Sequence, residues 1–183
     1  MSQDPIRCRQ ERLVWENGFV RVYDDDVSDK DGAQGRHVRV VPVHAGAGVV
    51  LLPLQGAQVA LVKTYRYPLA AWQWALPRGF AQSADPLETA RNELREELGV
   101  ERARLSVLGH VTPDSGLLAN TVAIVLAEVE DAQLEPQDRQ EVHAVRWVNL
   151  EALEQEVSEG RIEDAFTLAA LFLAGARRVL RKA

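Results

Sequence analysis

Residues 79–100, GFAQSADPLETARNELREELGV, constrain this chain most, because they mark both ends of a helix and load one side of it with carboxylates. Asp85, Pro86 and Glu88 stand where an N-cap, an N1 proline and an N3 glutamate belong, and Gly99 stands where a helix stops. Between those signals Leu87, Ala90, Leu94 and Leu98 recur at three- and four-residue intervals, a stripe that must face a core. At roughly 100° of turn per residue, Glu93, Glu96 and Glu97 fan over one side of the helix, beside that stripe and clear of it. Like charges at this spacing repel by roughly 0.2–0.5 kcal/mol per pair, so something positive should offset them. Arg91 and Arg95 could do so on a solvated, mixed-charge face, which is what most acidic runs are. A hard divalent cation is the sharper reading, since magnesium takes carboxylate oxygens, waters and substrate phosphates together.

The segment resembles the Nudix box, whose pattern is Gly, five residues, Glu, seven residues, Arg-Glu, an aliphatic residue, any residue, Glu-Glu, any residue, Gly, aliphatic. Aligned from its C-terminal end, the chain supplies Glu93, Leu94, Glu96, Glu97, Gly99 and Val100, with Gly79 as a leading glycine one residue too close. Ala84 stands where the first glutamate is expected and Asn92 where the arginine is. In the family those two side chains brace the loop against the helix, while the later glutamates hold metal. Losing both partners of an ion pair is less costly than stranding one, so the departure touches scaffold more than chemistry. YRYPLAAWQWALPRGF, from Tyr65 to Phe80, is similar to the arginine-containing strand and Leu-Pro-X-Gly approach of ADP-ribose pyrophosphatase-like members, with Ala75 in place of an acidic residue. IEDAFTLAALFLAG, from Ile162, is similar to their terminal helix, and the resemblance covers nearly the whole chain.

That resemblance implies an α+β Nudix fold, an α/β/α sandwich around a mixed sheet with an N-terminal antiparallel sheet. It implies residues 1–45 as strands that join two subunits into a homodimer and wall the site, and residues 46–183 as the hydrolase domain. Magnesium, or manganese in its place, is expected on Glu93, Glu96 and Glu97, with Glu141 added to these three as the catalytic set. Arg66, Arg78 and Gly79 are expected to meet the substrate's diphosphate. A loop glutamate common in relatives that hydrolyse ADP-ribose has Asn120 nearest to its place, which leaves the particular nucleotide open.

The rest of the chain is consistent with one domain of ordinary size. Its 183 residues are 46% hydrophobic and 26% charged, and the formal charge of -6 argues against nonspecific affinity for nucleic acid. Cys8 stands alone, so no internal disulfide forms. The opening lacks a signal-peptide core and no apolar run is long enough to span a membrane, so a cytoplasmic protein is expected. Leu13 to Tyr23 reads as strand broken by a turn at Asn17-Gly18, and the run from Asp24 as a solvated loop. His37 to His44 reads as strand, and Val49–Leu54 should pair with Val59–Thr64 across Gln55-Gly56. Gly46 and Gly48 lack the third glycine of a dinucleotide fingerprint and open a strand where that motif needs a helix. Leu105–Val111, Val122–Val129 and His143–Val148 read as strands, and Glu163–Leu180 as a helix whose acidic start and basic end (Arg177, Arg178, Arg181, Lys182) suit its dipole. Trp72 and Trp74 alternate toward one face, as core or as a base-stacking surface. Ser115 has no nucleophile motif, and His37, His44, His110 and His143 show neither metal nor triad spacing.

Together these readings predict magnesium-dependent hydrolysis of the pyrophosphate link in a nucleoside diphosphate derivative, ADP-ribose or another NDP-sugar. A catalytically inactive Nudix-fold module that binds a nucleotide sugar is the alternative suggested by the departures at Ala84 and Asn92. A structural domain with a merely acidic helix is the bland remainder.

Overall fold

Alternation along two apolar strands builds the larger part of the molecule. In β5 (Gly48–Gln55) and β6 (Gln58–Arg66) nearly every residue is buried, which requires cover on both faces of the sheet. Val50, Leu52, Leu54, Val59 and Leu61 enter one core with Leu150 and Leu153 of α2 (Leu150–Ser158) and Ala170 and Ala174 of α3 (Ala165–Ala176). Their neighbours Val49, Leu51, Ala60 and Val62 point the other way and meet Ala90, Leu94 and Leu98 of α1 (Pro86–Leu98). A two-residue period thus divides one sheet's side chains between two cores.

The computed structural model describes residues 4–44, 46, 48–130 and 132–180, in two compact units: residues 1–45 with 112–121, and residues 46–111 with 122–183. The larger unit holds a seven-stranded mixed sheet of order β11-β6-β5-β10-β9, formed with β9 (Arg104–Val111), β10 (Val122–Glu128) and β11 (Val142–Asn149). β10 runs parallel to β5, and the other pairings are antiparallel. Helices on both faces make this the expected α/β/α sandwich, and Gly48 opens a strand, as its reading outside a dinucleotide motif required.

One pairing departs from expectation. β5 and β6 are joined only at Leu54–Val59 and Gln55–Gln58, next to the turn. Beyond that they splay: β7 (Ala71–Ala75) takes the ladder of β6, and β8 (Arg78–Gly79) takes that of β5. The N–H of Leu51 goes to the carbonyl of Pro77 at 2.9 Å, so the backbone groups that β6 does not satisfy are satisfied by this insertion. The LPRG segment is thereby carried into the middle of the sheet.

The smaller unit is an antiparallel sheet centred on β3 (Val20–Asp29), with β1 (Ile6–Gln10) and β2 (Leu13–Glu16) sharing one edge and β4 (Gln34–Pro42) on the other. The acidic run from Asp24 is therefore strand, not loop. Asp24 pairs with Arg36, Asp26 with Arg12, and the buried Asp25 accepts from Arg39 Nε at 2.5 Å and from the Arg12 N–H at 3.0 Å. Arg36 and Arg39 across the strand pair, with Arg12 beside it, offset the mutual repulsion of the three aspartates. The turn falls instead at residues 30–33, where Asp29 accepts from the N–H groups of Asp31 and Ala33. Helix α3 is also shorter than expected: Asp164 caps its start, and Arg178 at φ 56° ends its run. Its last described turn holds no basic side chain, and Arg181 and Lys182 lie outside the described residues.

Helix α1 ends as its sequence predicts. Gly99 takes φ 71° and donates to the Arg95 carbonyl at 3.0 Å, and Val100 donates to that of Leu94 at 3.1 Å. A Cβ at residue 99 would sit 2.1 Å from the Glu135 carbonyl oxygen. Gly99→Ala should combine left-handed strain with that clash and cost about 2 kcal/mol or more. Urea denaturation reads this directly, and an unchanged midpoint would contradict it.

Candidate active site

The insertion of β8 lays Arg78 and Gly79 across the side of α1 that carries the glutamates. The Arg78 N–H donates to Glu97 Oε2 at 3.2 Å. A Cβ at residue 79 would lie 1.8 Å from Glu93 Oε1, so glycine is required there by the close approach of the Glu93 carboxylate. Glu93 and Glu97 are consequently buried, at 7% and 4% exposure. Sequence periodicity left all three glutamates clear of the buried face, and this holds only for Glu96, which is half-exposed and lies 3.8 Å from Arg95. Spacing along a helix says which residues share a face, but not that a strand will be laid over it.

The loop into α1 is braced differently from the family pattern. Asp85 caps Leu87, as expected, but the N–H of Asp85 itself goes to Ser83 Oγ at 3.1 Å. Opposite Asn92 stands Gln82 and not Ala84: Asn92 Nδ2 donates to Gln82 Oε1 at 3.0 Å, and Gln82 Nε2 donates to Glu93 Oε1 at 3.0 Å. The loop is one residue short between Gly79 and the helix, and this change of register brings residue 82 to the helix.

Glu141 arrives by a different route. The last carbonyls of α1 are satisfied by the following loop: Glu135 donates to Leu98 at 3.0 Å, and Gln137 and Asp138 donate to Glu96 at 2.9 and 3.0 Å. Asp138 then accepts from the N–H groups of Gln140 and Glu141, a turn that holds Glu141 near the cluster. Burial raises Glu93 to a pKa of about 7, and Glu96, Glu141 and Asp138 add to the rise. Burial likewise pushes Glu97 to about 8, with Glu93 and Glu141 raising it and the Arg78 N–H and Arg66 opposing them.

Two arginines stand beside these acids. Arg78 Nη1 is 2.7 Å from Asp164 Oδ2, and its guanidinium lies 5.0 Å from the Phe166 ring centre. Asp164 Oδ1 also accepts from the N–H and hydroxyl of Thr167, and Thr167 Oγ1 accepts from the Leu76 N–H at 2.9 Å. Neither Asp164 nor Thr167 was singled out from sequence, where the only signal is an aspartate three residues before a threonine at a helix start. Arg66, at the end of β6, is half-buried; burial lowers its pKa and Arg78 lowers it further, and its Nε has no partner. Arg66, Arg78, Gly79, Glu93, Glu97 and Glu141 are thus drawn together, with Glu96 at the rim.

Among the described residues, no three acidic, histidine or cysteine side chains converge tightly enough to enclose a cation as they stand. Their chemistry nevertheless fits a hard divalent ion: burial and neighbouring carboxylates raise the pKa of both Glu93 and Glu97, and no cationic side chain forms an ion pair with either. Of the described helices, none is long and apolar enough to cross a membrane.

A NUDIX domain model matches residues 42–169, well over half of the chain. The chain belongs to the Nudix family. It is a Nudix hydrolase, and the glutamate helix described above is its Nudix box. A Streptomyces rubellomurinus (strain ATCC 31215) protein, CMP-5'-(N-acetyl-N-hydroxy-3-aminopropyl)phosphonate hydrolase, is 28% identical over 175 residues, 93% of this chain and 84% of that protein. The asymmetrical bis(5'-nucleosyl)-tetraphosphatase of Mus musculus is 36% identical over 83 residues, 43% of this chain and 56% of that one. The crystal structure of an ADP compounds hydrolase shares the fold at a TM-score of 0.78, with 18% identity, over 98% of this chain and 96% of that one.

The Nudix glutamates give a signed pH dependence. Both have folded-state pKa values above the ordinary 4.5, so their contribution to stability is fully present below about pH 4.5 and is lost as pH rises through 7 to 8. In chelator, Tm should fall by about 5 °C or more between pH 5.5 and 8.5, and Glu97→Gln should flatten the slope. An equally steep slope in the variant would refute this.

Proposed function

We propose that this Nudix hydrolase cleaves the pyrophosphate link of a nucleoside diphosphate derivative, with NDP-sugars, ADP-ribose first among them, preferred over nucleoside triphosphates. The observation that carries this is two buried glutamates lying beside two arginines, of which Arg78 is held by Asp164 and Arg66 has an unpaired Nε. A guanidinium with free donors next to another guanidinium is a receptor for a polyanion, and its planar fork matches phosphate oxygens. Both the Streptomyces relative, whose name describes a CMP–phosphonate conjugate, and the ADP compounds hydrolase of like fold support a substrate in which a nucleotide is joined onward through phosphorus.

Glu93 and Glu97, with Glu96 at the rim, would hold magnesium or manganese, which would supply charge neutralisation for the diphosphate and a more acidic water. Arg66 and Arg78 bind and orient the diphosphate, and Asp164 and Phe166 keep Arg78 from swinging away. Gly79 keeps the carboxylates within reach because nothing projects from it. The attacking water gives up a proton to a carboxylate of the cluster, for which the exposed Glu141 is placed to reach solvent. Oxygen adds to one phosphorus as the bridging P–O bond breaks, and the bridging oxygen leaves with the other phosphate.

A panel of ADP-ribose, other NDP-sugars, dinucleotides and triphosphates with magnesium, read by product mass, tests the reading. NDP-sugars should turn over fastest, and Glu97→Gln should lower kcat about a hundredfold or more. Faster turnover of triphosphates would overturn the substrate class, and wild-type rates in the variant would overturn the role of Glu97.

We also propose a homodimer joined through the sheet of the smaller unit, where Ile6, Leu13, Val14, Trp15, Phe19 and Val38 are all exposed. Light scattering should give twice the chain mass and fall toward one chain mass in Trp15→Glu. A monomeric wild type would defeat this proposal.

A further inference from the structure

The side-chain amides of Gln82, in the loop before the Nudix helix, and Asn92, in the middle of that helix, form a chain with a defined direction. Arg95 Nη2 donates to Asn92 Oδ1 at 3.3 Å, Asn92 Nδ2 donates to Gln82 Oε1 at 3.0 Å, and Gln82 Nε2 donates to Glu93 Oε1 at 3.0 Å. Its direction follows from its ends. A guanidinium can only donate, so each amide after it must present oxygen toward Arg95 and nitrogen toward Glu93, where a carboxylate oxygen accepts. Either amide reversed would set like groups against each other at both of its contacts. The loop is also fastened independently, by the Gln82 N–H to the hydroxyl of the fully buried Thr89 at 3.3 Å.

We propose that Gln82, backed by Asn92, is a positioning residue for Glu93: it replaces the loop-to-helix ion pair with a neutral bracket that also orients the glutamate's carboxylate. Two facts support this beyond the contact itself. Glu93 Oε1 is confined on its other side by Gly79, where even a methyl group would occupy its place. With Oε1 held by Gln82, the rotation of the carboxylate is set. Ala84 has no polar side chain to offer, so residue 82 supplies the only described side-chain hydrogen bond to Glu93. A charged glutamate at position 82 could pair with a cation at 92, but it would face Glu93 as a like charge. The amide braces and donates at once, and this accounts for neutral residues being found together at 82 and 92. The inference rests on the reading of Glu93 as a metal-holding group.

Gln82 is exposed, so Gln82→Met, which keeps length and removes the donor, should fold normally. Calorimetric titration with Mn2+ should show about tenfold weaker binding or more, and NDP-sugar turnover should lose kcat with little change in KM. The double variant Gln82→Glu with Asn92→Arg restores a loop-to-helix pair without a donor to Glu93. Its Tm should match or exceed that of the wild type while Mn2+ binding stays weak. Wild-type Mn2+ affinity in Gln82→Met, or recovery of both properties in the double variant, would overturn the proposal. A wild type that binds no Mn2+ would instead defeat the metal reading. The bracket is then judged in the metal-free protein by NMR of the Gln82 and Asn92 side-chain amides. Slowed exchange, lost at Gln82 in Asn92→Ala, supports the bracket, and amides exchanging as freely as surface ones reject it.

Discussion

Everything distinctive in this structure depends on a two-residue strand lying over two carboxylates. Arg78 and Gly79 occupy the gap where β5 and β6 part, and from there they cover Glu93 and Glu97 on α1. Taking carboxylates out of water is unfavourable, as their raised pKa values record, and the fold must supply the difference. It does so with an apolar core on each side of one sheet, and with backbone pairing that uses β7 and β8 to complete what β5 and β6 leave open. Strain of this kind, concentrated in one place and supported elsewhere, is expected where a protein does chemistry.

The elements around that strand each fix one side chain. The loop after α1 is bonded to the helix's last carbonyls and carries Glu141; α3 begins at Asp164, which caps the helix with one oxygen and holds Arg78 with the other. Packing on opposite faces of the sheet is thus communicated to one site, since α1 brings acids from one side and α3 positions a guanidinium from the other. Arg66, at the end of β6, completes the set with its unpaired Nε.

Much of this was legible in the sequence, for local reasons. Asp85, Pro86 and Gly99 delimit α1 because capping and left-handed turns are chemistry of a few consecutive residues. β5 and β6 announce themselves because continuous apolar runs have few other uses. The family resemblance likewise rests on contiguous residues, and the family is shown. Long-range partners were not legible. Asp24, Asp25 and Asp26 read as loop until Arg12, Arg36 and Arg39 are seen beside them, and Gln82 reads as an unremarkable loop residue until a shortened register places it against Asn92.

The sequence by itself determined the helix with its glutamates and the apolar strands that must flank it. These follow from periodicity, capping and charge, which act over a turn or two of chain. Only the tertiary structure decided that Glu93 and Glu97 are buried while Glu96 is not, that Gly79 serves clearance, that Asp164 holds Arg78, and that an amide pair stands in for an ion pair. Each of those depends on residues 10 to 86 positions apart meeting within a few ångströms, and no local pattern encodes the distance between them.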